Sequence, residues 1–411
     1  MRPFVLILTW LLLSTGAQVV WATHEGIASP DQIETGNLGS FRYFNSLELS
    51  HLGFPDRDLS SVKYLKELDL DLLASGGPPP DAIPSIDDPR FISIPETDKW
   101  LADEKLVLGV RFNGLTRAYP LAILNWHEIV NDDFDGTKVV VTYCPLCDSG
   151  LAFLAPEIEG VIAEFGTSGR LFRSDLVMYD RVTATFWEQF QGRPIVGPLV
   201  GVAGRLHRIP VDIVPYGLWK LEHPETTVLD RPLAGDRLGN RTGAGRTGSE
   251  EEFSRDYFSD PYSRYRVTGT RSGSVTEFGV PFNDDRLGAK DQVVGIVANG
   301  QAKAYAREAM IQQRLFNDVV GGVPVLVAVS PAGEIKFFER SVPAGGVLEF
   351  SLENDQLVDN QGNAWDFEGL AISGPLTGTR LNPIIATPSF WFAWVSFNPN
   401  TELFEGNDEA S

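Results

Sequence analysis

An internal repeat is the feature that most constrains the fold of this chain. When the first half is shifted forward by 186 positions, a series of Gly, Asn, Tyr and Pro residues falls on identical residues in the same order. The matched residues are Gly109 with Gly295, Asn113–Gly114 with Asn299–Gly300, Tyr119 with Tyr305, Asn131–Asp132 with Asn317–Asp318, Pro145 with Pro331 and, after small gaps, Trp219 with Trp394. Chance rarely preserves the order of so many landmarks, so the sequence predicts tandem copies of one structural unit.

Each copy is predicted to be mainly β. Short apolar runs alternate with turn residues, and Asn113–Gly114 between two such runs is a strong hairpin signal. A helical stretch, ILNWHEIV, follows Pro120, and the strand-like run TKVVVTY leads into Cys144. We therefore predict a β-rich α+β fold in which two tandem copies of a mainly β unit pack pseudo-symmetrically.

Composition divides the chain into segments. We predict a signal peptide at 1–22, an N-terminal extension and linker at 23–95, a first β-rich repeat with the metal or thiol site at 96–231, a long polar loop at 232–277, and a second repeat without the site at 278–411. The proline run SGGPPPDAIP supports the linker, and the stretch NRTGAGRTGSEEE supports the loop.

The N-terminus predicts an extracytoplasmic protein, either periplasmic or secreted. Arg2 precedes an apolar run that ends near Leu13, and small residues lead to Ala22, which is the plan of a cleavable signal peptide. The apolar run is short for a bilayer span, so we expect no stable membrane span after cleavage. An uncleaved anchor is the alternative.

Charge narrows the range of partners. Asp and Glu number 55 against 34 Lys and Arg, which gives a formal net charge of −21. Such a surface repels phosphate backbones, so nucleic acid is not an expected partner. The partner or substrate that remains is a small molecule or a protein, and the sequence does not specify it.

The two cysteines of the chain indicate local chemistry. Cys144 and Cys147 stand in the run TYCPLCDSG, and a disulfide across so short a loop would constrain the unfolded chain very little. Metal binding or redox chemistry therefore explains the pair better than framework stability does. The Cys-Pro-Leu-Cys turn can aim both sulfurs at one point while backbone N–H groups stabilise the thiolates.

The repeat provides an internal control for the candidate site. Residues that make the fold should recur in both copies, whereas residues recruited for chemistry can stand in one copy alone. Four potential metal ligands have no such residue at the matching position of the second copy. They are His127, which matches Gln313, Cys144, which matches Ser330, Cys147, which matches Gly333, and His223, which matches Asn398. Two thiolates and two imidazoles form a familiar tetrahedral donor set, so we predict these residues as the ligands of a zinc or copper ion.

Other interpretations stay open. The Cys pair could serve a thiol-disulfide oxidoreductase with Cys144 as the attacking thiol, although DSGLAFLAP after Cys147 alternates like a strand and not like a redox helix. It could form an inert disulfide in a non-enzymatic secreted binding protein. Cys144 could also be a nucleophile with His127 as its base. Met178 could add a thioether to a copper site, and His207 could replace His223, but core packing and a surface turn are the favoured interpretations of these two residues.

Two charged residues are predicted to handle substrate if the protein is a metal-dependent enzyme. Arg170 and Asp175 lie in FGTSGRLFRSDLVMYDR, a strand-rich stretch where polar residues could line a pocket beside the metal. Buried ion pairs explain them equally well. The sequence does not decide whether the site catalyses a reaction.

Several motifs together resemble a known family. The runs are SIDDPRF, NGLTRAYPL, NWHEIVND, TYCPLCDSG, SDLVMYDR, IVGPL and HPET, spread over about residues 80 to 400. They resemble the domain-of-unknown-function family 3179, whose members are secreted or membrane-associated microbial proteins. The resemblance implies that Cys144, Cys147 and His127 form the family signature, and it implies no settled reaction. Asp148–Ser149 stands where small residues are expected, which adds an acidic group beside the turn.

Overall fold

The fold was analysed in a computed structural model. It describes residues 73–233, 238–239, 255–267, 284–343, 346–404 and 406, together with three short strands nearer the N-terminus. The predicted signal peptide lies outside the described residues except for the backbone of Val19–Val20, which pairs with Glu157–Ile158. None of the helices in the described ranges has the length and apolar character that a bilayer crossing requires.

Strands dominate the structure, which confirms the β-rich prediction. The N-terminal elements are β1 (Val19–Val20), β2 (Phe41–Tyr43), β3 (Lys63–Leu65), β4 (Leu73–Ser75), β5 (Phe91–Ile92) and α1 (Ile94–Thr97). The first half continues with β6 (Leu106–Phe112), β7 (Leu115–Pro120), α2 (Leu121–His127), β8 (Ile129–Phe134), β9 (Thr137–Cys144), β10 (Ser149–Leu154), β11 (Glu157–Ile158), β12 (Val161–Ile162), β13 (Phe165–Phe172), β14 (Asp175–Asp180), β15 (Phe186–Glu188), β16 (Arg193–Val196), β17 (Arg208–Ile209), β18 (Val211–Pro215), α3 (Tyr216–Glu222) and β19 (Thr227–Leu229).

A short helix, α4 (Ser263–Val267), separates the halves. The second half contains β20 (Gln292–Ala298), β21 (Gln301–Ala306), α5 (Arg307–Gln313), β22 (Leu315–Val320), β23 (Val323–Val329), β24 (Ile335–Glu339), β25 (Ser341–Val342), β26 (Gly346–Val347), β27 (Phe350–Glu353), β28 (Gln356–Asp359), β29 (Ala364–Trp365), β30 (Ala371–Ser373), β31 (Asn382–Pro383), β32 (Thr387–Phe390), α6 (Trp391–Phe397) and β33 (Glu402–Phe404).

Sheets of the two halves have matching strand orders. The order β18-β6-β7-β19 in the first half corresponds to β32-β20-β21-β33 in the second, and in both sheets the last pair is parallel. Likewise β8-β9-β10-β17 corresponds to β22-β23-β24-β31, and β13-β14-β15-β16 corresponds to β27-β28-β29-β30. The hairpin predicted at Asn113–Gly114 forms between β6 and β7.

The largest apolar cluster joins the two halves. It contains Cys144, Cys147 and Trp187 from the first half together with Trp391 and Trp394 from the second. Burial of large apolar side chains is the main favourable contribution to stability, so this shared core fixes one half against the other. The cysteine turn therefore lies inside the molecule.

Parts of the predicted linker and polar loop are packed and not merely exposed. Ile86, inside the predicted linker, is buried and forms an isolated bridge with Val130 on β8. Tyr257 and Tyr265, inside the predicted loop, are also buried. These buried residues stand among Gly, Ser and charged residues, so the average composition of each segment predicts a linker or a loop. Packing depends on single side chains, which an average composition does not show.

Helix α3 packs closely on the sheet at Gly109. A methyl group at this position would lie 2.2 Å from the Trp219 ring of α3, which is too close for carbon atoms that are not bonded to each other. We expect Gly109→Ala to lower the free energy of unfolding by about 1–3 kcal/mol or more, measured by denaturant titration. Gly136→Ala is the matched control, because nothing lies near its added methyl group and only its positive φ of +85° costs about 1 kcal/mol. Equal losses in the two variants would contradict the steric explanation.

Candidate functional site

The cysteine turn, residues 144–148, connects two antiparallel strands. Cys144 ends β9, Ser149 begins β10, and the two residues are paired across the hairpin. Asp148 has a φ of +52°, a conformation that a short polar residue tolerates and that reverses the chain. Cys147 donates its backbone N–H to the Cys144 carbonyl at 3.2 Å. The strand after Cys147 agrees with the sequence prediction and differs from the helix of a thioredoxin-like site.

A carboxylate from a second hairpin meets the two sulfurs. Asp175 begins β14, and one ligand atom from each of Cys144, Cys147 and Asp175 lies within 4.8 Å of the others. The cysteines are free thiols, and each lies near the Ser174 carbonyl, with Sγ to O distances of 3.8 Å for Cys144 and 3.4 Å for Cys147. Asp175 Oδ2 accepts the Phe190 N–H at 3.0 Å, whereas its buried Oδ1 has no hydrogen-bond partner among the described residues.

Burial and hydrogen bonding affect the two thiols in opposite directions. Burial alone would raise the pKa of Cys144, but the Cys147 thiol and the backbone N–H groups of Cys147, Leu176 and Leu146 donate to its sulfur and lower the pKa overall. Burial raises the pKa of Cys147 well above its usual range, and the charges of Cys144 and Asp175 raise it further. Hydrogen bonds from the backbone therefore stabilise the thiolate form of Cys144 more than that of Cys147.

Two buried carboxyl groups near the sulfurs resist ionisation. Burial raises the pKa of Asp175 well above its ordinary value, and the charges of Cys144 and Glu188 add to the effect. Burial also raises the pKa of Glu128 to about 8, again with a contribution from Cys144. Such groups hold protons near neutral pH unless a cation compensates their charge.

His127 is not brought into the group of Cys144, Cys147 and Asp175. It ends α2 and is fully buried, with Nδ1 2.7 Å from the Pro84 carbonyl and Nε2 2.8 Å from the Tyr257 hydroxyl. Because a carbonyl only accepts, Nδ1 carries the proton and Nε2 accepts from Tyr257. Both ring nitrogens of His127 are thus engaged by protein groups.

His223 lies in a different cluster. Its ligand atoms group with those of Glu222 and Glu334, and Nε2 lies 2.7 Å from Glu334 Oε1. Lys336 Nζ lies 3.0 Å from the other Glu334 oxygen, so an ammonium group already supplies positive charge there. The His223 ring also packs on Trp219, with 4.1 Å between ring centroids. The four ligands predicted from the sequence therefore divide between three places in the fold.

The remaining predicted residues have mixed positions. Arg170 lies on β13, and its backbone is opposite Val177 of β14, so it shares a hairpin with Asp175. Met178 is fully buried in the core shared by both halves, as core packing predicts. His207 is exposed, in keeping with a surface turn.

The sequence prediction did not include three tyrosines and Glu128, which lie near the cysteine turn. Tyr257 contacts His127, Tyr262 donates to Glu128 Oε1 at 3.3 Å, and Tyr265 donates to the Leu146 carbonyl at 3.0 Å. The available signal is the run DYFSDPYSRYR, in which large aromatic residues stand inside an otherwise polar segment. Such residues in a predicted loop indicate anchors to a core.

The chain is a β-rich protein with a buried cluster of two thiols and a carboxylate. It belongs to DUF3179, a family described as proteins of unknown function, and the family's sequence model matches residues 80–401. This confirms the resemblance noted in the sequence. No curated protein and no solved structure gives a significant match.

His127→Gln separates a metal ligand from a structural histidine, and glutamine is chosen because Gln313 ends α5 as His127 ends α2. Burial lowers the pKa of His127 to about 4, so the unfolded chain binds a proton that the folded chain refuses between about pH 6.5 and 4. Wild-type stability contains a contribution that is lost as pH falls through this window. We expect the wild-type advantage over the variant to shrink by on the order of 3 kcal/mol between about pH 7 and pH 4, measured by denaturant unfolding.

Metal content is measured on the same two proteins. The arrangement of the ring nitrogens predicts that His127→Gln and wild type have the same metal content. A variant that loses its metal, with no change in the pH dependence of unfolding, would restore His127 as a ligand.

Proposed function

We propose that this protein is an extracytoplasmic metal-binding protein that holds a zinc or copper ion at Cys144, Cys147 and Asp175. The observation that carries the proposal is the convergence of two sulfurs and a carboxylate oxygen within 4.8 Å in a fully buried place. Thiolate sulfur favours zinc and copper over the harder cations. The signal-peptide pattern supports the extracytoplasmic part of the proposal.

The electrostatics of the cluster support a bound cation. Ionised sulfur and carboxylate groups are costly to bury together, and a divalent ion offsets that cost while it deprotonates its ligands. Among the described residues the buried Asp175 Oδ1 atom accepts no hydrogen bond that meets geometric criteria, which suits an oxygen that binds a cation. When bound, the ion would supply either structural cross-linking or Lewis acidity, since three protein donors leave one position of a tetrahedral ion open.

The proposal changes the role of one residue and leaves another open. Asp175, predicted from the sequence to handle substrate charge, becomes a ligand. Arg170 is on the same hairpin, and a catalytic role for it stays a prediction.

Metal analysis of purified variants tests the site. We expect wild-type protein, purified without added metal, to hold a stoichiometric amount of zinc or copper by elemental analysis, and Cys144→Ser and Cys147→Ser to lose it. Asp175→Asn should weaken the affinity at least about tenfold, because even outer-shell changes have effects of that size. Reconstitution with cobalt should give a thiolate charge-transfer band that the cysteine variants lack.

Asp180→Asn is the matched control for Asp175→Asn. Asp180 is a fully buried carboxylate on the same strand, where it accepts from Trp187 and Thr183 and not from the sulfurs. Negligible metal in both wild type and Cys144→Ser would end the metal proposal. Equal losses of affinity in the two aspartate variants would remove Asp175 from the ligand set.

A thiol-disulfide oxidoreductase is the second candidate, and the contrast between the two thiols favours it. Cys144 has a lowered pKa, Cys147 has a raised pKa, and the protonated carboxyl of Asp175 lies beside them. The two thiols would reduce a substrate disulfide, losing two electrons and two protons to form a Cys144–Cys147 disulfide.

Redox titration of the metal-free protein in glutathione buffers tests this candidate. We expect a reversible Cys144–Cys147 disulfide, with Asp175→Asn slowing its formation roughly a hundredfold through loss of the protonated carboxyl, which would act as a general acid toward the leaving glutathione thiolate. Mass spectrometry after alkylation reports the reduced fraction. A pair that stays reduced with oxidised glutathione in excess excludes the redox role.

We also propose that the chain consists of two duplicated copies packed pseudo-symmetrically, with chemistry kept in the first. The matching strand orders support this proposal. So do equivalent contacts, since Trp219 Nε1 donates to Thr226 and Trp394 Nε1 to Thr401, at 2.9 Å and 2.8 Å. The second half would then serve as a scaffold for the first.

A further inference from the structure

The tyrosine strap, residues 255–267, crosses the end of α2 beside the cysteine turn. Tyr257 bonds to His127, and Tyr262 donates to Glu128 at 3.3 Å. Asn125 on the same helix donates to Asp260 at 3.3 Å. One face of the strap is therefore fixed to the last residues of one helix.

The strap also holds the cysteine turn itself. Tyr265 donates to the carbonyl of Leu146, the residue just before Cys147, at 3.0 Å. Arg266 donates to Asp148 at 3.2 Å and to the Tyr143 hydroxyl at 3.0 Å. The residues on both sides of the two sulfurs are thus contacted by a single turn of α4.

The opposite side of the turn is closed by the second half. Phe390 donates its N–H to the Cys147 carbonyl at 2.7 Å, and Gln292 donates to Asp148 at 2.5 Å. Cys144 is 2% exposed and Cys147 is 0% exposed. The β13–β14 hairpin also covers the sulfurs through Ser174 and Asp175, so the strap and the second half are two of the three elements packed around the turn.

The strap is the side that can move at lower cost. Phe390 belongs to β32, which is paired with β20, so displacing it breaks a sheet. The backbone hydrogen bonds recorded within the strap are local, such as Tyr257 to Arg255 and Arg266 to Tyr262, and its described residues belong to no strand. Tyr257 and Tyr265 are buried and anchor the strap, but these anchors are side-chain contacts, and a segment held without strand pairing can open locally without global unfolding.

We propose that the tyrosine strap is the gate of the cysteine site, and that its opening admits the metal ion and small thiol-directed molecules. The identity of the metal cargo rests on the proposed function, whereas the gating of the sulfurs does not. Arg266 and Tyr265 hold the gate closed through Asp148, Tyr143 and the Leu146 carbonyl.

Native-state alkylation of metal-stripped protein by iodoacetamide tests the gate. We expect Arg266→Ala to raise the labelling rate of the two cysteines at least about tenfold, since it loses hydrogen bonds to a charged partner. Arg264→Ala is the matched control, because Arg264 is an exposed arginine on the same helix. Its labelling rate should stay within about twofold of wild type.

Low concentrations of denaturant distinguish gating from unfolding. Labelling through local opening stays nearly independent of denaturant, whereas labelling through global unfolding rises steeply with it. Tyr265→Phe removes one hydroxyl from the strap and provides a second, milder variant, expected to label faster than wild type at a rate that stays nearly independent of low denaturant.

The outcomes separate the gate from the metal proposal. Equal labelling rates for Arg266→Ala and Arg264→Ala, or rates that follow global unfolding in every variant, would overturn the gate. Faster labelling of Arg266→Ala in a protein that never contains zinc or copper would support the gate and reject the metal. Bound metal together with labelling that ignores Arg266 would do the reverse.

Discussion

Two sulfurs and the Asp175 carboxyl group lie together in a buried place, and the structure around them offsets part of the cost of burying them. Three backbone N–H groups converge on the Cys144 sulfur, which partly replaces the water that an exposed thiolate would have. Charge that remains after this compensation must be removed by protons or by a cation, because a low-dielectric interior magnifies repulsion between like charges. Because two hairpins bring Cys144, Cys147 and Asp175 together, the same three groups can either hold protons or bind a metal ion.

Local features of the site follow from the sequence, whereas its third member does not. A Cys-Pro-Leu-Cys run after an apolar strand predicts the turn, because the spacing and the turn residues act within one hairpin. Asp175 comes from another hairpin, and its place at the start of β14 depends on how two sheets pack. Nothing in the run SDLVMYD distinguishes a carboxylate near sulfur from a carboxylate in an ion pair. Only the packing of the two hairpins places Asp175 beside the sulfurs.

His127 illustrates why a difference between the two halves of the sequence does not by itself mark a metal ligand. The histidine stands where the proposed second copy has Gln313, and the sequence therefore predicts it as a ligand. In the fold, the partner of its Nε2 atom is Tyr257, in the segment between the halves. A neighbour that stands beside only one of two proposed copies explains such a difference without any chemistry. Cys144 and Cys147 differ from the second half in the same way, and they also lie together with Asp175.

The backbone N–H of Phe390, in the second half, donates a hydrogen bond to the carbonyl of Cys147 in the first half. The second half contains neither of the two cysteines of the chain. Here its main chain binds the carbonyl of Cys147, so the interior of one half is lined by the other. The surroundings of the two sulfurs are therefore constrained from both halves of the polypeptide, and removing the second half would open the Cys147 carbonyl to water.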